Sequence, residues 1–69
     1  MSRYILQRKA VDGRAKDRYA VFNGVGNMVE VKYARDLKDI AETYGYTYGK
    51  RKAQETWDDL VSEGFERIY

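Results

Sequence analysis

The sequence predicts a small α+β domain: a three-stranded antiparallel sheet (about 3–11, 14–22 and 28–33) with two helices (about 34–44 and 50–63) on one of its faces. Three observations predict it. An Asp-Gly pair separates two strand-like runs, an alternating run follows a glycine-rich turn, and two later stretches carry apolar residues at helical spacing. The chain has 69 residues and is read as a single compact domain, 1–69. A chain this short buries only about 60% of its unfolded-state surface, so its core has to be efficient.

Asp12-Gly13 is a preferred pair for a two-residue hairpin turn, which needs positive φ at both central positions. Folding the chain there sets Leu6 opposite Tyr19, Tyr4 opposite Val21 and Arg8 opposite Asp17. A second turn is expected at Asn23-Gly24-Val25-Gly26-Asn27. Centred on Val25, it sets Val21 opposite Val29 and Tyr19 opposite Val31. One face then reads Tyr4, Leu6, Tyr19, Val21, Val29 and Val31. A one-residue slip would move a whole strand's apolar set to the other face.

Leu37, Ile40, Ala41 and Tyr44 fall at i, i+3, i+4 and i+7, the spacing of an amphipathic helix. Gly45 stands where such a helix needs a left-handed closing residue. Gly49 or Thr47 opens a second helix with Ala53, Trp57, Leu60 and Val61 inward. Gly64 closes that helix, and Phe65 is placed to pack back on its last turn. The tail 65–69 reads as a short C-terminal strand or an ordered extension.

Composition narrows the function classes. Hydrophobic residues at 43% and charged residues at 35% describe a folding chain rather than a disordered one. The sequence holds no histidine and no cysteine. That removes the usual general base, the thiol nucleophile, the thiolate zinc site and every Ser-His triad. Glu55, Asp58, Asp59 and Glu63 fall on the side of the second helix away from Leu60, and read as a solvated acidic face. The expectation is a non-enzyme without metal or cofactor.

Secreted domains of this size usually carry disulfides. With no cysteine, and only a three-residue apolar run (Tyr4-Ile5-Leu6) near the start, a cytoplasmic protein is expected. No stretch approaches the roughly 20 apolar residues of a membrane span, so no membrane partner is expected.

Two glycine patterns resemble phosphate-binding loops and depart from them. Gly24-Val25-Gly26 lacks the third glycine of a dinucleotide fingerprint and opens no helix. Gly45-Tyr46-Thr47-Tyr48-Gly49-Lys50 has one residue too few between its glycines, and Arg51 stands where Ser or Thr is required.

Charge is segregated along the chain. Residues 1–18 carry +4, residues 19–52 carry +2 and residues 53–69 carry −4. Three surfaces stand out as binding candidates. Lys50, Arg51 and Lys52 open a helix whose far end is acidic, the reverse of what the helix dipole favours, and Tyr46 and Tyr48 sit beside them. The first hairpin carries Arg8, Lys9, Arg14, Lys16 and Arg18, a basic ribbon suited to a nucleic-acid groove. The sheet face opposite the assigned core gathers Ile5, Ala20, Phe22 and Met28 beside Glu30 and Lys32, an apolar patch of the kind that marks protein contacts.

The leading expectation is a protein-interaction module, an adaptor or inhibitor that docks on a larger protein or protein–nucleic-acid complex. Small, charge-segregated chains of this kind are frequent among phage and mobile-element accessory proteins. A homodimer is the other protein partner considered. The alternative is nucleic-acid binding, with helices 37–44 and 50–63 acting as a helix-turn-helix and the basic hairpin as a clamp.

Overall fold

The computed structural model describes residues 3–8 and 19–69. It is an α+β fold with one five-stranded antiparallel sheet. The strands are β1 (Arg3–Gln7), β2 (Tyr19–Val25), β3 (Met28–Ala34), β4 (Tyr46–Gly49) and β5 (Glu66–Arg67), in the spatial order β4-β3-β2-β1-β5. A 3-10 helix, Leu37–Glu42, links β3 to β4, and α1, Lys50–Ser62, links β4 to β5.

Helix α1 therefore carries the chain from one sheet edge to the other across the three central strands. Four strand spacings of about 4.8 Å amount to roughly 19 Å. A helix of 13 residues rises about 20 Å, so the connection matches the width of the sheet.

The registers of both central hairpins differ from those expected. Leu6 faces Ala20 and Tyr4 faces Phe22, a shift of one residue; the turn expected at Asp12-Gly13 lies outside the described residues. In the second hairpin Val25 pairs with Met28 and Phe22 with Val31. The turn is thus Gly26-Asn27 alone, and Gly26 has φ +61°, the left-handed conformation a tight hairpin turn requires. Gly24, expected in the turn, lies in β2 opposite Val29.

Both shifts flip β2 and leave β1 and β3 on a common face. The helix-covered face carries Leu6, Ala20, Phe22 and Val31, closed by Leu60 and Phe65, with Val29, Tyr33, Tyr48 and Trp57 packed around them. Phe22 is 4% exposed, so it belongs to the core and not to a free sheet face. Its ring meets Trp57 edge to face, with centroids 5.1 Å apart.

The other face is covered as well. Val21, Ala34 and Ile40 form a second cluster against which Ile5 packs. Ile40 comes from the 3-10 helix, so the two helical segments lie on opposite faces of the sheet rather than together on one. The expected α-helix 34–44 is reduced because Ala34 still belongs to β3 and only Ile40 of its apolar stripe is buried; Tyr44 is almost fully exposed. Gly45 is not in the left-handed region. A Cβ there would come within 2.7 Å of the Glu30 carboxylate, so Gly45 allows a close approach instead of closing a helix.

The second helix forms where the sequence placed it. Its end is a complete Schellman motif: the Gly64 N–H donates to the Val61 carbonyl (3.1 Å) and the Phe65 N–H to the Leu60 carbonyl (3.0 Å), with Phe65 buried against Leu60. Gly64 has φ +104°, where a side chain is strained. Gly64→Ala is expected to cost about 1–2 kcal/mol and to lower the melting temperature by roughly 5–15 °C. Thermal denaturation followed by circular dichroism checks this; an unchanged midpoint would show that the cap does not hold the helix end.

The tail adds β5 to the outer edge of β1. Leu6 pairs with Arg67 and Gln7 with Glu66. The Ile68 N–H donates to the Ile5 carbonyl (2.8 Å), and the Ile5 N–H to the Tyr69 carbonyl (3.2 Å).

Candidate functional site

The helix does not cover its sheet face evenly. Lys50, Ala53, Gln54 and Trp57 recur at helical spacing along one flank of α1. Below them, β1 and β2 contribute Tyr4, Phe22 and Gly24, β3 contributes Val29, and β5 contributes Arg67. Together they line an open groove of about 470 Å³, within the range of small-ligand and side-chain pockets.

Packing fixes its walls. Trp57 is held edge to face by Phe22 and also by Tyr4, whose ring centroid lies 6.1 Å away at 82°. The Arg67 guanidinium lies over the Tyr4 ring, 4.7 Å from its centroid, and its Nε–H donates to the Tyr69 carbonyl (3.2 Å). A cation seated on a ring in this way is fixed by both charge and contact area.

Charge around the groove is uneven. Lys50 and Arg67 line it, and among the described residues no carboxylate does. Among the described residues the single ion pair joins Arg8 to Glu63 (3.9 Å), far along the helix. Gln54 donates from Nε2 to Asp58 Oδ1 (3.1 Å), and Asp58 is exposed and does not line the groove. Glu55, Asp58, Asp59 and Glu63 are all exposed, the acidic helix face the sequence indicated.

The residues singled out from sequence are dispersed. Of the basic helix start, Lys50 lines the groove, while Arg51 and Lys52 are exposed beside it. Tyr46 and Tyr48 stack on the same sheet face, with centroids 6.4 Å apart and planes 9° from parallel, and Tyr33 lies tilted against Tyr46. Tyr46 is 55% exposed.

The proposed patch of Ile5, Phe22 and Met28 does not exist as one surface. Phe22 is core on the helix side, Ile5 packs under the 3-10 helix, and Met28 stands partly exposed at the start of β3. The physical reason is the flip of β2, which puts Phe22 on the opposite face from Ile5. Lys9, Arg14, Lys16 and Arg18 lie outside the described residues. Arg8 covers the Phe65 ring at 4.9 Å and contacts Glu63. The helix pair of the alternative reading is not formed, because β4 and a 3-10 turn stand where its first helix and turn were expected.

Sequence reasoning missed Tyr4, Gly24, Trp57 and Arg67 as neighbours. Two signals pointed to Gly24 and Trp57: a glycine inside an otherwise apolar strand, and the lysine, glutamine and tryptophan recurring on one helix flank; nothing pointed to Tyr4 or Arg67.

Comparison with protein-family models, with curated proteins and with solved structures finds no match to this chain. Among the described residues no helix is long and apolar enough to cross a membrane, and no buried side chain is polar or charged.

Proposed function

We propose that this domain is a non-enzymatic protein-interaction module that holds a segment of a larger protein in the groove beside α1. The observation that carries this reading is the groove itself: a hollow walled by Tyr4, Phe22, Val29 and Trp57 with two cations at its margin. Tryptophan, tyrosine and arginine dominate the energetics of protein interfaces, because each combines a large apolar area with a polar handle. As an adaptor or inhibitor, the domain acts by occupancy and needs none of the histidine or thiol chemistry its sequence lacks. A cytoplasmic setting belongs to the same reading and rests on the missing cysteines.

Site-specific photo-cross-linking tests it. A benzophenone amino acid in place of Gln54, on the groove wall, is expected to give a protein adduct in a lysate of the native cells. The same group in place of Asp59, on the acidic face, should not. Adducts that vanish on nuclease treatment, or that form equally from both positions, would refute the reading.

Nucleic-acid binding stays as a second reading because one observation favours it: the stacked Tyr46 and Tyr48 lie just before Lys50, Arg51 and Lys52. Single-strand binders use such rings as stacking platforms. That reading requires affinity to fall steeply with salt, and Tyr46→Ala should then weaken binding to oligo(dT) several-fold. Salt-independent binding, or none, would remove it.

A further inference from the structure

We infer that the segment held in the groove is an acidic peptide carrying a bulky apolar side chain, the apolar group entering over Gly24 beside Trp57 and the carboxylates meeting Lys50 and Arg67. This rests on the protein-binding reading above and names the chemistry of its partner.

The floor is the first observation. Gly24 lies within β2, paired with Val29, and its φ is not in the left-handed region. No turn demands glycine there, and a glycine inside a strand costs about 0.5–1 kcal/mol relative to alanine. A strand glycine often marks a bulge, a bend, or a place where a ligand or another backbone approaches closely. Alternation puts it on the same face as Phe22, and it lines the groove together with Val29 and Trp57.

The cations are the second. Lys50 and Arg67 line an apolar hollow, and among the described residues neither has a carboxylate within ion-pair distance. Arg67 lies over the Tyr4 ring and donates to the Tyr69 carbonyl, contacts that bias its guanidinium toward the groove without neutralising its charge. The carboxylate of Asp58 accepts a hydrogen bond from Gln54 Nε2 (3.1 Å) and does not itself line the groove.

The rings decide between a peptide side chain and a nucleobase. Phe22 and Tyr4 meet Trp57 at 73° and 82°, and Arg67 covers a face of Tyr4. This is a shaped apolar hollow, which suits a phenylalanine or leucine side chain better than a flat base that needs a parallel platform.

The test uses the full chain and three probes. These are a short capped peptide with phenylalanine and leucine between two pairs of aspartates, the same peptide with lysines for aspartates, and oligo(dT). Fluorescence of Trp57, the single tryptophan, and backbone amide shifts report binding. The acidic peptide is expected to bind about tenfold more tightly than the basic one. The double variant Lys50→Glu with Arg67→Glu should reverse that preference. Gly24→Val should keep the circular dichroism spectrum and melting point while losing the peptide; if it unfolds, the charge-reversal pair still decides.

Equal binding of both peptides, a response to oligo(dT) alone, or no response to any probe would overturn the inference. The cross-link from position 54 separates the two levels. An adduct there with no acidic-peptide binding leaves a protein site of other chemistry, and failure of both removes the protein-binding reading as well.

Discussion

Phe22→Asp is expected to unfold the domain at 25 °C. Phe22 sits at the centre of the larger cluster with Leu6, Ala20, Val31, Leu60 and Phe65, and it is one of the two rings that hold Trp57. Truncating a buried phenylalanine to alanine typically costs 3–5 kcal/mol, and a carboxylate with no buried partner adds its desolvation to that. Single domains have about 5–15 kcal/mol in all, and one this small stands near the lower end. Loss of the circular dichroism signal together with a red-shifted Trp57 emission is the expected result. A folded variant with native Trp57 emission would mean that β2 presents its other side to the helix.

Val21→Asp is the second large effect, expected at about 3–5 kcal/mol, the range for stranding an uncompensated charge in a protein interior. Val21 is 1% exposed although it points away from α1; Ala34 and Ile40 enclose it, with Ile5 beside them. The control lies in the same strand. Val25 shares the face of Val21 but stands exposed beyond the cover of the 3-10 helix, so Val25→Asp should stay within about 0.5 kcal/mol of wild type. Urea denaturation of the pair reads the difference directly. Equal stability would show that the 3-10 helix does not close that face.

These two residues also explain how much of the fold was legible. Along β3, Val29, Val31 and Tyr33 alternate with Glu30 and Lys32, and that strand's faces were assigned correctly. Along β2, Ala20, Val21 and Phe22 are consecutive and all buried. A central strand packed on both sides has no polar residue to mark its outer face, so alternation could not choose between Val21 and Phe22. The turn residues were left to decide, and Gly24 and Gly26 were ambiguous between a five-residue loop and a two-residue one.

Helix α1 was legible because its apolar stripe and its closing Gly64-Phe65 agree. The segment 34–44 was not: four apolar residues at helical spacing suggest a helix, but β3 takes Ala34 and only one of the four is covered. Of the candidate site, Lys50 was found from its misplaced charge. Tyr4 and Arg67 were out of reach, since nothing in their local sequence says that β5 returns to pair with β1.

That return has a mechanical consequence. Tyr4 and Arg67 come from strands at opposite ends of the fold's chain order, and they meet through a ladder in which β5 contributes only Glu66 and Arg67, extended by the bonds between Ile5 and Ile68–Tyr69. Short peripheral ladders open at far lower cost than the sheet centre. One wall of the groove, at Arg67, therefore rests on the shortest strand of the sheet. A ligand that filled the groove would act as a clasp, stabilising by its own occupancy the strand that helps to line it.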